Sequence, residues 1–134
     1  MDEIKIMTLN CRGLGSNEKR RDVLNYLKNM KYDIYLLQDT HLTEKKEPYF
    51  NSLWRGNAYH SFGTFNSRGT AILVNSRVQH DILYTEQCPE GNYILCVIKL
   101  HGSTFTLLNT VRMVANHLSF GTLANGYKIF HAKT

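Results

Sequence analysis

The chain has 134 residues, room for one domain, with 43% hydrophobic and 20% charged residues and 2 prolines. That balance excludes a disordered chain, a collagen-like repeat and a low-complexity tail. The net charge of +5 favours an anionic partner, though mildly.

No apolar run reaches the ~18 residues of a bilayer span, so no membrane role is expected. The opening Met-Asp-Glu-Ile-Lys lacks the order of a secretory signal. Cys11, Cys88 and Cys96 contain no Cys-x-x-Cys pattern. A reducing, intracellular compartment is therefore expected, with neither a disulfide framework nor a zinc site.

In chain order, residues 3–11 read as a strand with largely buried faces. Arg12-Gly13-Leu14-Gly15-Ser16 is a turn. Residues 17–30 read as a helix: Val23, Leu24, Leu27 and Met30 form one stripe, and Ser16 or Asn17 can cap it. Residues 33–38 are a short apolar run, expected to be a central strand. Strand, helix and strand make a right-handed βαβ unit. If its parallel strands are neighbours, Asn10 and Asp39 meet on one rim, where open α/β sheets bind ligands.

Residues 43–55 are expected to be a helix, with Pro48 tolerable only in its first turn. Period-two segments follow at 59–65, 70–75, 82–87, 93–101 and 104–109, an antiparallel meander with turns between. The fold class expected is α/β with a mixed sheet. Residues 111–134 break the pattern. A helical turn is conceivable over Val111–Leu118, and the remainder shows no period. The domain is therefore placed at 1–110, with 111–134 an unrelated tail.

Single residues leave alternatives open. Asp39, at a strand end, suits a hard metal ion or caps the next segment. Asn10 satisfies a turn or, with Asp39, orients a carboxylate or touches phosphate. His41 transfers protons or is an ordinary loop histidine. Lys19, Arg20 and Arg21 sit at the positive end of a helix dipole, a local conflict. They mark phosphate attraction or simply a solvated face. Cys11 reads as core rather than nucleophile.

Four blocks then resemble one family: Met7-Thr8-Leu9-Asn10-Cys11-Arg12-Gly13, Leu36-Leu37-Gln38-Asp39-Thr40-His41, Ser67-Arg68-Gly69-Thr70-Ala71-Ile72-Leu73-Val74 and Thr106-Leu107-Leu108-Asn109. In order and spacing they resemble the endonuclease/exonuclease/phosphatase superfamily over about residues 3–110. The resemblance is greatest to the apurinic-type endonuclease domain of LINE-type (non-LTR) retrotransposon polyproteins. It implies the N-terminal half of a four-layered α/β sandwich and Mg²⁺-dependent (or Mn²⁺-dependent) phosphodiester cleavage. It also implies DNA as partner and a nuclear location.

By the same resemblance, Asn10 supports the carboxylate network and Asp39 is the metal ligand. His41 lies beside them. Arg12, Lys19 and Arg68 are expected to contact nucleic acid. The family acid is usually Glu, so Asp39 sets its oxygens back by roughly 1.5 Å. The later family motifs are missing. Asn109 is followed by Thr110-Val111-Arg112-Met113 in place of Tyr-x-Pro-Asn, and no Asp follows Asp81. Residues 91–134 contain no carboxylate at all. The general base and the aspartate partner of the family's histidine are therefore absent. Three functions are expected on this basis: a truncated nuclease inactive alone, an enzyme completed by a second chain, or a nucleic-acid or protein interaction module.

Overall fold

The computed structural model describes residues 4–111, 117–122 and 128–133. Strand β1 (Ile6–Asn10), helix α1 (Asn17–Met30) and strand β2 (Ile34–Gln38) form the expected βαβ unit. The strands pair directly and in parallel, from Ile6 opposite Ile34 to Asn10 opposite Gln38. Ser16 caps α1 by accepting a hydrogen bond from the Lys19 amide at 3.2 Å. Leu24 and Leu27 turn the helix's apolar stripe into the protein.

A short 3₁₀ turn (Glu44–Lys46) leads into α2 (Glu47–Trp54). Pro48 stands in the first turn of α2, where a missing N–H leaves no bond unmade. Phe50 and Trp54, four residues apart, carry its buried face.

The period-two region does not form one meander. Strand β4 (Thr70–Val74) runs antiparallel to β2, and β3 (Asn57–Ser61) lies outside β4, giving the order β1-β2-β4-β3. The reason lies in the side chains. Thr-Ala-Ile-Leu-Val is buried along its whole length, so β4 needs cover on both faces and takes a central place. Strand β3 stops at Ser61 rather than Phe65, and a tight turn closes instead through Thr64 N–H to the Ser67 carbonyl, 2.9 Å.

Strands β5 (Asp81–Gln87), β6 (Tyr93–Leu100) and β7 (Ser103–Thr110) do make a meander, as part of a second sheet. A bulge between Ile82 and Tyr84 bends its outer edge. Backbone at 117–122 (β8) and 128–133 (β9) continues this sheet: β9 runs parallel to β7, and β8 antiparallel to β9. Most of the helical turn expected over 111–118 lies outside the described residues, and His117 and Leu118 begin β8.

The sheets pack face to face. Ile34, Leu36, Ile72 and Val74 of the first meet Ile94, Cys96, Ile98, Phe105 and Leu107 of the second. On the first sheet's other face, Leu14, Leu24, Leu27, Phe50 and Trp54 cover Tyr35, Leu37, Ala71 and Leu73. The chain thus builds helices, sheet and sheet, part of a four-layered α/β sandwich. No described helix is long and apolar enough to cross a membrane.

One buried group makes this core sensitive to acid. His60 is 6% exposed, stacked on Phe62 and edge-on to Phe50, and neither ring nitrogen has a hydrogen-bond partner. Burial lowers its pKa from 6.5 to about 4. The unfolded chain therefore takes the proton first as pH falls. Stability is unaffected above about pH 6.5 and drops by about 3 kcal/mol on acidification through the folded value. Urea midpoints across this range should fall, and His60→Leu should remove this component of the slope.

Candidate active-site rim

Because β1 and β2 are parallel neighbours, their C-terminal ends leave the sheet on one edge. Antiparallel β4 begins there, and β3 ends there. Loops from these strands and from the β5–β6 turn are joined backbone to backbone. Gly13 and Leu14 amides bond the Asp39 and Thr40 carbonyls at 2.8 and 2.7 Å. Thr40 and His41 amides bond the Gly69 and Arg68 carbonyls at 3.1 and 2.8 Å, and the Gly69 amide bonds the Gly91 carbonyl at 2.9 Å.

The residues singled out by sequence converge here. Asp39 Oδ1 lies 3.7 Å from His41 Nε2, and both side chains are partly open to solvent. Asn10 Oδ1 accepts the Arg12 amide at 3.0 Å, so it closes the turn that follows its strand. Lys19 Nζ donates to the Arg12 carbonyl at 2.9 Å. Arg68 is half-buried beside them, with its Nε lacking a partner.

Four of these residues share an uncommon backbone. Arg12, Asp39, His41 and Arg68 all have φ between 52° and 62°. Left-handed geometry costs an ordinary L-residue about 1–2 kcal/mol, and such residues gather at functional sites. Asp tolerates this region better than most residues, which gives a local reason for the shorter acid at position 39. Two glycines complete the fit. A Cβ on Gly13 would stand 2.7 Å from His41 Nδ1, and one on Gly69 would stand within van der Waals overlap of Thr40 Oγ1.

Arg20 settles differently from either sequence reading, whereas Cys11 follows its reading as core. Arg20 is 3% exposed, and its Nη1 donates to the Leu14 and Gly15 carbonyls at 2.9 and 2.7 Å. It is neither a phosphate contact nor part of a solvated face; it braces the Gly-Leu-Gly turn from inside. Cys11 is buried, and its burial pushes the thiol up to about 12, so it is an inert core group.

Sequence reading assigned no role to the polar seam beneath the rim. Gln38 Nε2 donates to Asn109 Oδ1 at 2.7 Å and to Thr8 Oγ1 at 2.9 Å. Asn109 Nδ2 donates to the Leu37 and Ala71 carbonyls, each at 2.9 Å. One side chain of the second sheet thus ties together β2 and β4 of the first. Asn109 alternates in phase with inward Phe105 and Leu107, and that phase was the available signal.

The rim offers the Asp39 carboxylate, an imidazole and several cations, with Glu90 on the adjoining β5–β6 turn. Among the described residues no group of three or more His, Cys, Asp or Glu is arranged to hold a metal ion. Asp39 alone fits a Mg²⁺-type ion, which takes one or two carboxylates and fills its remaining places with water or phosphate oxygens.

Residues 7–122 match the profile of the endonuclease/exonuclease/phosphatase family. The chain belongs to that family. It is 27% identical over 106 residues to a 149 kDa protein of transposon TX1 from Xenopus laevis, covering 79% of this chain and 8% of the relative. Its fold is similar to the AP endonuclease LMAP of Leishmania major (TM-score 0.62, 21% identity, 84% of this chain, 40% of that one). It is also similar to a mannosyl-6-phosphatase of Bacteroides thetaiotaomicron (TM-score 0.61, 13% identity, 81% of this chain, 51% of that one). The chain therefore spans 8% of the transposon relative and about half or less of these two solved structures.

The close approach at Gly13 sets a test. Gly13→Ala combines φ +93° with the clash against His41, so it should cost about 1–3 kcal/mol and displace the His41 ring. Gly15→Ala, with nothing within 4 Å of its added carbon, should change stability by no more than about 0.5 kcal/mol. Denaturant titration, with the His41 ring signals followed by NMR, checks both.

Proposed function

We propose that this chain is the N-terminal part of a divalent-metal-dependent phosphodiesterase that nicks DNA in the manner of retrotransposon endonucleases, and that it is inactive or nearly so alone. The observation that carries the reading is the juxtaposition of Asp39 and His41 on the rim above the β1–β2 pair, beside the turn held by Asn10. A bound Mg²⁺ or Mn²⁺ ion would neutralise charge on the scissile phosphate. Asp39 would hold that ion, and Asn10 would keep the neighbouring turn in place. His41 would hold or pass a proton at Nε2. Arg12, Lys19 and Arg68 would attract the DNA backbone, with the Lys19 ammonium turning from the Arg12 carbonyl to phosphate.

No carboxylate follows Glu90, so no later aspartate activates water or pairs with a histidine. Losing a positioned base typically costs about 10²–10⁴-fold, and groups acting as a unit fail together. A second chain supplying the rest of the sandwich would restore these groups. The change of sequence pattern after Thr110 would mark a segment of separate origin within 111–134, although the family match runs on to residue 122; of its strands, β9 covers the edge of β7. A retroelement origin would place the protein in the nucleus.

The basic rim also supports a second reading, a nucleic-acid module without turnover. Two measurements separate the readings. Paramagnetic Mn²⁺ should broaden NMR signals of residues 10, 39 and 41 in the wild type and leave those of Asp39→Ala sharp. Supercoiled plasmid in Mg²⁺ should be nicked no faster by the wild type than by Asp39→Ala. Nicking that Asp39→Ala abolishes would instead establish an active enzyme. Salt-sensitive DNA binding without any Mn²⁺ effect would favour the module.

A further inference from the structure

The pole of the sandwich opposite the rim carries a separate feature. Both helices end there, β1, β2 and β3 begin there, and β4 finishes there. Lys5, Lys28, Lys31, Arg55 and Arg77 are all exposed on this pole. A depression of about 480 Å³ lies between the helix ends, lined by Lys28 and Arg55 with Ser52, Asn75 and Ser76. A second, of about 540 Å³, is lined by Lys5 and Lys31 together with Ile6, Met30 and Tyr32. Neither lining contains a carboxylate. Arg77 connects the two regions, its Nη2 donating to the Lys31 carbonyl at 3.2 Å and pairing with Asp33 at 2.9 Å. The Asp33 carboxylate is buried and already holds both Arg77 and the Lys5 amide, and among the described residues no carboxylate forms an ion pair with the other four cations.

An ordinary explanation is that cations favour helix C-termini, by about 0.3–1 kcal/mol each. That accounts for Lys28 in the last turn of α1. It does not account for Lys5 and Arg77, which lie outside the helices. It covers the charges of Lys31 and Arg55, which sit at the helix ends, but not their backbone conformation. Each is the residue that ends its helix in the left-handed conformation, at φ 58° and 67°. Glycine is the usual occupant of that place, and a side chain there costs about 1–2 kcal/mol. Two helices independently accept that cost and keep a cation at the same pole.

We infer that this pole is a binding surface for the phosphate backbone of a nucleic-acid strand, separate from the rim and independent of base sequence. Cations around hydroxyl and amide donors suit phosphate oxygens. Trp54 is buried with its indole N–H bonded to the Asn57 carbonyl at 3.2 Å, so it offers no face for a base to stack on. The inference does not depend on metal binding or cleavage at the rim.

The test uses the whole chain in EDTA with a fluorescent oligothymidylate of about 16 nucleotides, read by anisotropy across a salt series. Lys28→Glu/Arg55→Glu should weaken binding about tenfold at low salt and reduce the salt slope by about 1.4, two contacts at ~0.7 each. Lys45→Glu/Lys46→Glu makes the same change in net charge at the turn before α2 and should bind nearly as the wild type does. Circular dichroism checks folding, and Lys28→Gln/Arg55→Gln replaces the first variant if it unfolds. Equal losses from both charge-reversed pairs, or no loss from either, would overturn the inference. So would binding to phosphatidylserine vesicles that needs Lys28 and Arg55 when oligothymidylate binding does not.

Discussion

Everything at the rim depends on two parallel strands lying side by side without an intervening strand. A βαβ crossover brings both C-terminal ends to one edge, and direct pairing places Asn10 opposite Gln38. The next residue along β2 is Asp39, whose carbonyl and that of Thr40 accept the amides of Gly13 and Leu14. The loops are therefore extensions of the sheet's own hydrogen bonding. Such a scaffold can hold left-handed residues in place, because the backbone around them is already committed.

That arrangement explains why the rim contains so little conventional turn chemistry. Asn/Asp-Gly turns would be easier to form, yet the chain uses arginine at φ 52° and 62° and histidine at φ 54°. Glycine is kept for Gly13 and Gly69, where another residue's side chain occupies the space a Cβ would need. Arg20 adds support from within by binding the Leu14 and Gly15 carbonyls. A buried guanidinium needs such partners to offset its desolvation. Its conflict with the helix dipole, visible in sequence, was thus a sign of bracing rather than of ligand attraction.

The βαβ unit, both helices and the strands up to Thr110 were legible because they rest on local periodicity and a single crossover rule, whereas β8 and β9 lie where the sequence shows no clear period. The four spaced blocks made the family legible as well. Strand order was harder to read. Assigning β4 to the centre of the first sheet requires reading Thr70–Val74 as buried on both faces, and a short apolar run alone does not say which neighbour covers it. The Asn109 seam depends on contacts more than 70 residues apart in sequence, a distance at which no local pattern speaks. The left-handed cations were invisible for a related reason: their φ is set by the path the chain takes on leaving each helix, not by the identity of Lys31 or Arg55.

The rim and the missing chemistry are separable in physical terms. The loop bearing Asp39 and His41 is bonded to the Gly13–Leu14 and Arg68–Gly69 turns, and Gly69 in turn to the Gly91 carbonyl of the second sheet's turn, all before residue 92. Asn109 then secures β2 and β4 from below. The ordering of the proposed ion-holding half thus needs no group beyond Thr110, whereas activating water needs carboxylates that the later sequence does not contain. On the proposed reading, ion holding and turnover fall on opposite sides of the change in sequence pattern after Thr110. On that reading such a chain keeps a shaped, cationic surface without turnover, so direct observation of ion and strand binding says more about it than a negative cleavage assay.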